Sequence, residues 1–410
     1  MREPLVIVGN GMAAVRLVDE LTRRAPDRYS ISVVGEEPSL AYNRVLLSAL
    51  LAREIADQDL ELKPRSWWDD RHVTLVCGQQ ANEIDLRQCT VRLGGGTPLP
   101  YSKLVLATGS EPIRLPLPGS DLPGVLTFRT RADVDEMLSR AGGKLRAVVI
   151  GGGLLGLEAA YGLKKTGADV TVVHLVDRLM ERQLDARSAD MLKGALEGLG
   201  IRVLLNAESA AVQGWRKVRG LRLSDGRTIE ADLIVMAAGV RPRVGLARAA
   251  NLDVNRGIVV DDQMQTNASD VYAIGECAEH RGTCYGLVEP AYEQAGILAQ
   301  HLSGEPANYE GSLLATNLKV SGVNVFSAGD FGGAPDTETI LLTDAERGTY
   351  RKLVVKDNCL AGAVLLGDTS GALWYLDLMR TREPISPLRE GLVFGRAFCE
   401  PPDSLQAEAA

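Results

Sequence analysis

The pattern that constrains this chain most is a strand, glycine turn, helix and strand that occurs twice. The apolar run Leu5-Val6-Ile7-Val8 leads into Gly9-Asn10-Gly11-Met12-Ala13-Ala14, and a helical periodicity follows through Leu21. A second run, Ile31-Ser32-Val33-Val34, ends at Gly35-Glu36-Glu37. Short, mostly apolar runs of this kind suit strands buried in a parallel sheet. The unit recurs at Ala147-Val148-Val149-Ile150, which runs into Gly151-Gly152-Gly153-Leu154-Leu155-Gly156. A helix is predicted over Leu157–Thr166, closed by Gly167, and a strand over Asp169–Val173 ends at His174. Each copy has a trailing segment, Leu104-Val105-Leu106-Ala107-Thr108-Gly109 in one case and Leu233-Ile234-Val235-Met236-Ala237-Ala238-Gly239 in the other. A whole domain is therefore duplicated, as opposed to a short solenoid repeat.

A single G-x-G-x-x-G is as easily a tight turn as a binding loop. Two of them, each between a strand and a helix, point to dinucleotides. The first position makes the turn, the second lets a pyrophosphate lie against the backbone, and the third packs helix on strand. These positions are Gly9, Gly11 and Ala14 in one motif and Gly151, Gly153 and Gly156 in the other. The helix N-terminus then presents unpaired N–H groups to the phosphates. Glu36 closes the second strand, where a carboxylate can accept both ribose hydroxyls of an adenosine; Glu37 is its rival. In the second copy His174 stands at that position. An acid there repels a 2′-phosphate. His174, with Arg178 nearby, is expected to remove that repulsion, so the nucleotide is written as NADH or NADPH. Ending a strand is the other role open to His174.

Composition excludes several classes. The 45 basic and 53 acidic residues leave a net charge of −8 with no basic patch, which argues against nucleic acid. No apolar run approaches the length of a membrane span, and Met1-Arg2-Glu3-Pro4 does not read as a signal peptide. The six cysteines (77, 89, 277, 284, 359 and 399) form no C-x-x-C pair, and the four histidines are scattered. No metal site is expected, and the thiols suit a reducing cytoplasm.

Two dinucleotide sites in one chain imply that one dinucleotide passes hydride to the other, and flavin is the usual second party. The paired glycine motifs, Ala107-Thr108-Gly109, Ala238-Gly239 and Thr266…Tyr272-Ala273-Ile274-Gly275-Glu276 resemble the FAD-dependent pyridine nucleotide–disulfide oxidoreductase superfamily. In that superfamily the first motif binds FAD and the second NADH or NADPH. The resemblance implies cofactor contacts at Met12, Ala13, Arg44, Ala81, Ala107, Thr108, Gly109, Arg129, Gly275, Glu276 and Val288. It also implies them at Leu154, Leu155, Glu158 and Gly239. Arg44 is expected at the FAD pyrophosphate, Glu276 at the ribityl–pyrophosphate region where many relatives have Asp, and Glu158 near the nicotinamide. Glu289-Pro290 opens a helix that in relatives points its N-terminus at the flavin ring. No side chain need act as acid or base, because the flavin carries the chemistry.

The disulfide-reducing members carry a redox cysteine early in the first domain. Here Ala41–Ala49 contains none, and Cys277 is expected to be buried and inert. The chain instead resembles the rubredoxin/ferredoxin reductase branch. It is most similar to the flavoprotein half of the assimilatory NAD(P)H nitrite reductase large subunit, through Gly35-Glu36-Glu37-Pro38, Tyr42-Asn43-Arg44-Val45, Met180-Glu181-Arg182-Gln183-Leu184-Asp185 and Gly367-Asp368-Thr369-Ser370. Ferredoxin reductases often have a Lys where Ala49 stands, so any ion pair of Glu158 with it is missing. The sequence reaches Ala410 before any iron–sulfur or sirohaem region of the full-length subunit. The expected acceptor is therefore a separate iron–sulfur or haem protein, possibly a nitrate or nitrite reductase component.

The expected architecture is α/β. It comprises two interleaved three-layer (Rossmann-like) domains and a small C-terminal α+β interface domain. The FAD-binding domain is split over 1–115 and 244–312, the NAD(P)H-binding domain spans 116–243, and the interface domain spans 313–410. Its β-rich runs are Asn317–Phe326, Thr339–Leu342, Tyr350–Val355 and Ala361–Leu366, and Pro401–Ala410 reads as a frayed terminus. The expected function is electron transfer from NADH or NADPH through FAD to a separate redox protein in nitrate or nitrite assimilation. A rubredoxin-type reductase in another pathway, such as nitric oxide detoxification, is the alternative. A flavin redox sensor is the alternative of another class.

Overall fold

The apolar runs assemble into two parallel sheets of five strands each. In the first, the order is Val271–Ala273, Lys103–Leu106, Glu3–Val8, Tyr29–Gly35 and Thr74–Cys77. In the second it is Val125–Thr127, Leu233–Met236, Arg146–Ile150, Asp169–Val173 and Arg202–Leu204. Every pairing in both sheets is parallel. This computed structural model describes residues 2–399 apart from 95, 143 and 321. The expected frayed tail, Pro401–Ala410, lies outside the described residues.

The two sheets have the same plan, and one is inserted in the other. The outer strand Val271–Ala273 of the first sheet comes from beyond the whole second sheet in sequence. Where the chain leaves and re-enters, Ser110–Pro112 and Val240–Pro242 pair as an antiparallel ribbon. The strands are apolar at nearly every position because both faces are covered. Leu5, Ile7, Leu104, Val105 and Leu106 have no exposed surface, and neither do Val149, Val172, Leu233 and Val235. Each such side chain contributes about 1.5–3 kcal/mol of hydrophobic stabilisation.

Two glycine positions decide the geometry of each turn. Gly9 has φ +117°, and a Cβ there would lie 2.0 Å from the Ala107 carbonyl oxygen. Gly151 has φ +126°, and a Cβ would lie 2.2 Å from the Ala237 carbonyl oxygen. The trailing segments Ala107-Thr108-Gly109 and Ala237-Ala238-Gly239 are thus what the first glycines pack against. Gly156 meets Gly151 in turn, with 2.1 Å from a built Cβ to its carbonyl oxygen. The second helix runs over Leu154–Lys165, starting before the predicted Leu157, because Gly153 serves as its N-cap.

The C-terminal part is an antiparallel sheet ordered Ala315–Val320, Val323–Gly329, Cys359–Leu366, Thr349–Lys356 and Glu338–Asp344, with the helix Ala372–Thr381 beside it. The predicted run Asn317–Phe326 is two strands rather than one. They pair as a hairpin next to Gly322, whose φ is +86°. The architecture is α/β, two interleaved Rossmann-like folds followed by a small α+β domain. Asp185 anchors that domain to the second fold. It caps the helix Ala186–Gly198 through Ser188 N–H at 3.0 Å, accepts from the Tyr350 hydroxyl at 2.5 Å, and lies 3.6 Å from Lys352 Nζ. Gly367-Asp368-Thr369-Ser370 is structural in the same way. Asp368 pairs with the buried Arg351 at 3.0 Å and accepts from the Ser370 hydroxyl at 2.7 Å.

Gly151→Ala is expected to destabilise the fold by about 2–4 kcal/mol, since neither the positive φ nor the carbonyl can yield. Urea unfolding monitored by circular dichroism measures this.

Candidate functional site

The C-terminal end of the first parallel sheet, together with Thr127 and the helix Leu154–Lys165 of the second fold, borders a cavity of about 1340 Å³. That exceeds the roughly 300–1,000 Å³ of a pocket for one drug-sized ligand. Of the residues predicted in the first turn, Gly9, Gly11, Met12 and Ala13 line it. Ala14 faces inward and is fully buried. From the second fold Leu154, Leu155 and Glu158 reach the same cavity. Gly151, Gly153, Gly156, His174 and Gly239 are not among its lining residues.

Both glycine turns leave a helix start unprotected. The helices Met12–Arg24 and Leu154–Lys165 have glycine N-caps, no side-chain cap and no acid in their first turn. By contrast, Thr130 caps the helix Arg131–Arg140, with Asp133 completing a capping box. Uncapped N–H groups at the positive end of a helix suit an anion. A Cβ on Gly11, Gly109 or Gly153 would meet nothing within 4 Å, so the backbone is open to a ligand there. The donor set and the open backbone fit a dinucleotide pyrophosphate.

The two rival acids both line the cavity and differ in their partners. Glu37 accepts from Arg44 Nη2 at 2.5 Å and from the Tyr42 hydroxyl at 2.7 Å. Glu36 lines the cavity and pairs with Arg243, which sequence reasoning did not single out. Arg44 does line the cavity, but its guanidinium is committed to protein. Besides Glu37 it reaches the Tyr42 hydroxyl at 3.0 Å and the Arg129 carbonyl at 3.2 Å. The expected contact with a pyrophosphate would compete with these bonds.

Ala81, Ala107, Thr108, Gly109, Arg129, Gly275, Glu276 and Val288 also line the cavity. Glu276 accepts from Arg129 Nη2 and, at 2.9 Å, from the Ser110 hydroxyl. Arg129 Nε is buried and has no partner among the described residues, which leaves a donor for a ligand. Gly275, at φ +81°, donates its N–H to the buried Gln294 at 2.8 Å. The helix Val288–Ser303 begins with Glu289 in its first turn, and Glu289 is paired with Arg380 at 2.7 Å.

Among the described residues Glu158 makes no ion pair. Burial pushes its carboxyl up to about 7, opposed only by a hydrogen bond from Ser48. The absent lysine at Ala49 has this consequence. Cys277 is fully buried and burial raises its thiol, so it stays protonated. No cysteine is among the lining residues.

The His174 ring is buried at the strand end; Nδ1 accepts from Gly152 N–H at 3.0 Å and Nε2 meets Glu181 at 3.2 Å. These bonds fit the second role open to it, that of ending a strand. Sequence reasoning also missed Leu373, Leu376 and Arg380 of the C-terminal helix, which line the cavity. It missed Arg248 and Arg256, basic residues brought from separate segments. No local pattern signals either group. Among the described residues no helix is long and apolar enough to cross a membrane, and no group of three or more His, Cys, Asp or Glu could hold a metal ion.

Residues 3–295 match the family model for pyridine nucleotide-disulphide oxidoreductases, and residues 315–383 match the rubredoxin NAD+ reductase C-terminal domain. The chain is 47% identical over 386 residues to a nitrite reductase [NAD(P)H] of Bacillus subtilis (strain 168), covering 94% of this chain and 48% of that protein. It is 41% identical over 393 residues to the assimilatory nitrate reductase electron transfer subunit of the same organism, covering 96% of this chain and 51% of that one. The chain thus spans about half the length of these curated relatives. Among solved structures, a ferredoxin reductase for the CYP199A2 system from Rhodopseudomonas palustris superposes with a TM-score of 0.84 at 27% identity, covering 95% of this chain and all of that one.

A carboxyl with a raised pKa in the folded state favours folding when protonated. Its contribution is full below the unfolded value and is lost as pH rises through about 7. Stability should therefore decline between about pH 4.5 and 8, and Glu158→Gln should flatten that decline and be the more stable protein at pH 8. Denaturant midpoints across the range measure this.

Proposed function

The chain belongs to the pyridine nucleotide-disulphide oxidoreductase family, and from that membership we propose that it oxidises NADH or NADPH with FAD and passes the electrons to a separate redox protein. The observation that carries this is the cavity lined by the first glycine turn and reached from the second fold by Leu154, Leu155 and Glu158, with an uncapped helix start in each fold. FAD, when bound, would supply a centre that accepts a hydride and releases electrons singly.

The chain's residues then have distinct tasks. Gly9 and Gly11 let a pyrophosphate approach, and Met12 and Ala13 offer the N–H groups that receive it. Glu36 accepts ribose hydroxyls, and Ala81 lies at the same end of the cavity. Arg129, Glu276, Ala107, Thr108, Gly109 and Gly275 border the next stretch of the ligand, and Val288 lies at the helix start beyond. Gly151, Gly153 and Gly156 form the second cradle, with Gly239 beside it. Leu154, Leu155 and Glu158 face the point where the nucleotides meet. Burial raises the Glu158 carboxyl to about 7, which reduces the unpaired charge that would oppose ring stacking.

Without a cysteine in the lining, electrons leave by outer-sphere transfer and not through a disulfide. We place the reaction in nitrate or nitrite assimilation, on the likeness to the nitrite reductase and the electron transfer subunit. The acceptor would be an iron–sulfur or haem component. A rubredoxin-type acceptor is the second reading, favoured by the match of residues 315–383.

Rapid mixing with NADH or NADPH in the absence of oxygen should bleach the oxidised-flavin absorbance. If neither nucleotide changes that band, the proposal fails. Gly11→Leu should fold within about 1 kcal/mol of the parent, since a Cβ there meets nothing within 4 Å and φ is not positive, yet be isolated with little flavin. Flavin absorbance per protein and unfolding curves check both halves.

A further inference from the structure

We propose that Glu181, aimed by His174, is the ribose-binding acid of the second fold and makes the chain prefer NADH to NADPH. The inference rests on reading the second fold as the nicotinamide nucleotide site.

In the first fold the acid follows the strand directly, as Glu36 after Tyr29–Gly35. In the second, His174 follows Asp169–Val173 and cannot accept two hydroxyls. Its hydrogen bonds define what it does instead. Gly152 N–H can only donate, so Nδ1 is the acceptor and a neutral ring carries its proton on Nε2. That N–H is directed at Glu181 Oε2, 3.2 Å away.

The chain after His174 is folded back on the glycine turn. Met180 N–H donates to the Gly152 carbonyl at 3.0 Å. The fit is close, since a Cβ on Gly152 would lie 2.7 Å from both His174 Cγ and Leu179 Cδ2. Glu181 is therefore held one imidazole ring away from the strand end, beside the turn that opens the helix Leu154–Lys165. Its side chain is 35% exposed. Only Oε2 has a hydrogen-bond partner among the described residues, which leaves Oε1 for a ribose hydroxyl.

The sequence leaves NADPH open because no acid follows the strand and Arg178 stands nearby. Arg178 has Nη1 3.2 Å from Asp177, while its Nε is buried with no partner among the described residues. Arg182, the next residue after Glu181, is exposed and has no ion pair among the described residues. Both cations oppose the preference, Arg178 against its own neighbouring carboxylate and Arg182 without one.

Binding can be read without turnover. Dissociation constants for NADH and NADPH are measured by fluorescence titration on the flavin-loaded protein and on Glu181→Gln and Arg182→Ala variants. NADH is expected to bind the parent at least about tenfold more tightly, a difference of about 1.4 kcal/mol. Glu181→Gln should narrow that ratio at least about threefold, and Arg182→Ala should leave or widen it. A parent ratio below this, or a Glu181→Gln ratio that narrows less, overturns the inference while the nicotinamide reading stands. If neither nucleotide binds the parent, that reading falls and takes this inference with it.

Discussion

The structure depends on one close approach made twice. The first glycine of each turn sits against a carbonyl of the neighbouring strand, at Ala107 in one fold and Ala237 in the other. No side chain fits between, and the positive φ sends the chain sharply from strand to helix. That turn is what aims a helix N-terminus out of the sheet end with no cap on it. A capped helix, such as Arg131–Arg140, has already satisfied its own donors and offers nothing to an anion.

Interleaving then brings parts of both folds to one cavity. Because Val271–Ala273 returns to complete the first sheet, the segment carrying Gly275 and Glu276 is delivered to the same sheet end as Gly9. Glu276 pairs with Arg129, which stands just beyond Val125–Thr127 of the second sheet. The ion pair therefore joins the two folds across the cavity. The C-terminal domain closes the arrangement from outside. Asp185 ties its sheet to the second fold, while Arg380 and Glu289 tie its helix to the first.

Much of this was legible because it is local. The period of the apolar runs located the strands, and glycine spacing located both turns. Glu36 could be preferred to Glu37 from its place at the strand end, although only the Arg44–Glu37 pair shows why Glu37 is occupied. The absence of a lysine at Ala49 raised the question of the Glu158 partner. The structure answers it with Ser48 and burial, which raises the carboxyl to about 7. The surroundings of His174 were not legible, because the next residues fold back and bury the ring against Gly152.

The sequence by itself determined the elements, the two phosphate-type turns and the family, since each follows from residues close together or from motif spacing. Only the tertiary structure decided how these combine. It alone brings Arg243, Arg248 and Arg256 to one cavity with Glu36, sets the C-terminal helix at the same cavity, and holds Glu181 against the His174 imidazole. Those contacts join residues far apart in sequence or separated by a folded-back loop. Their geometry is the product of packing, which no local pattern encodes.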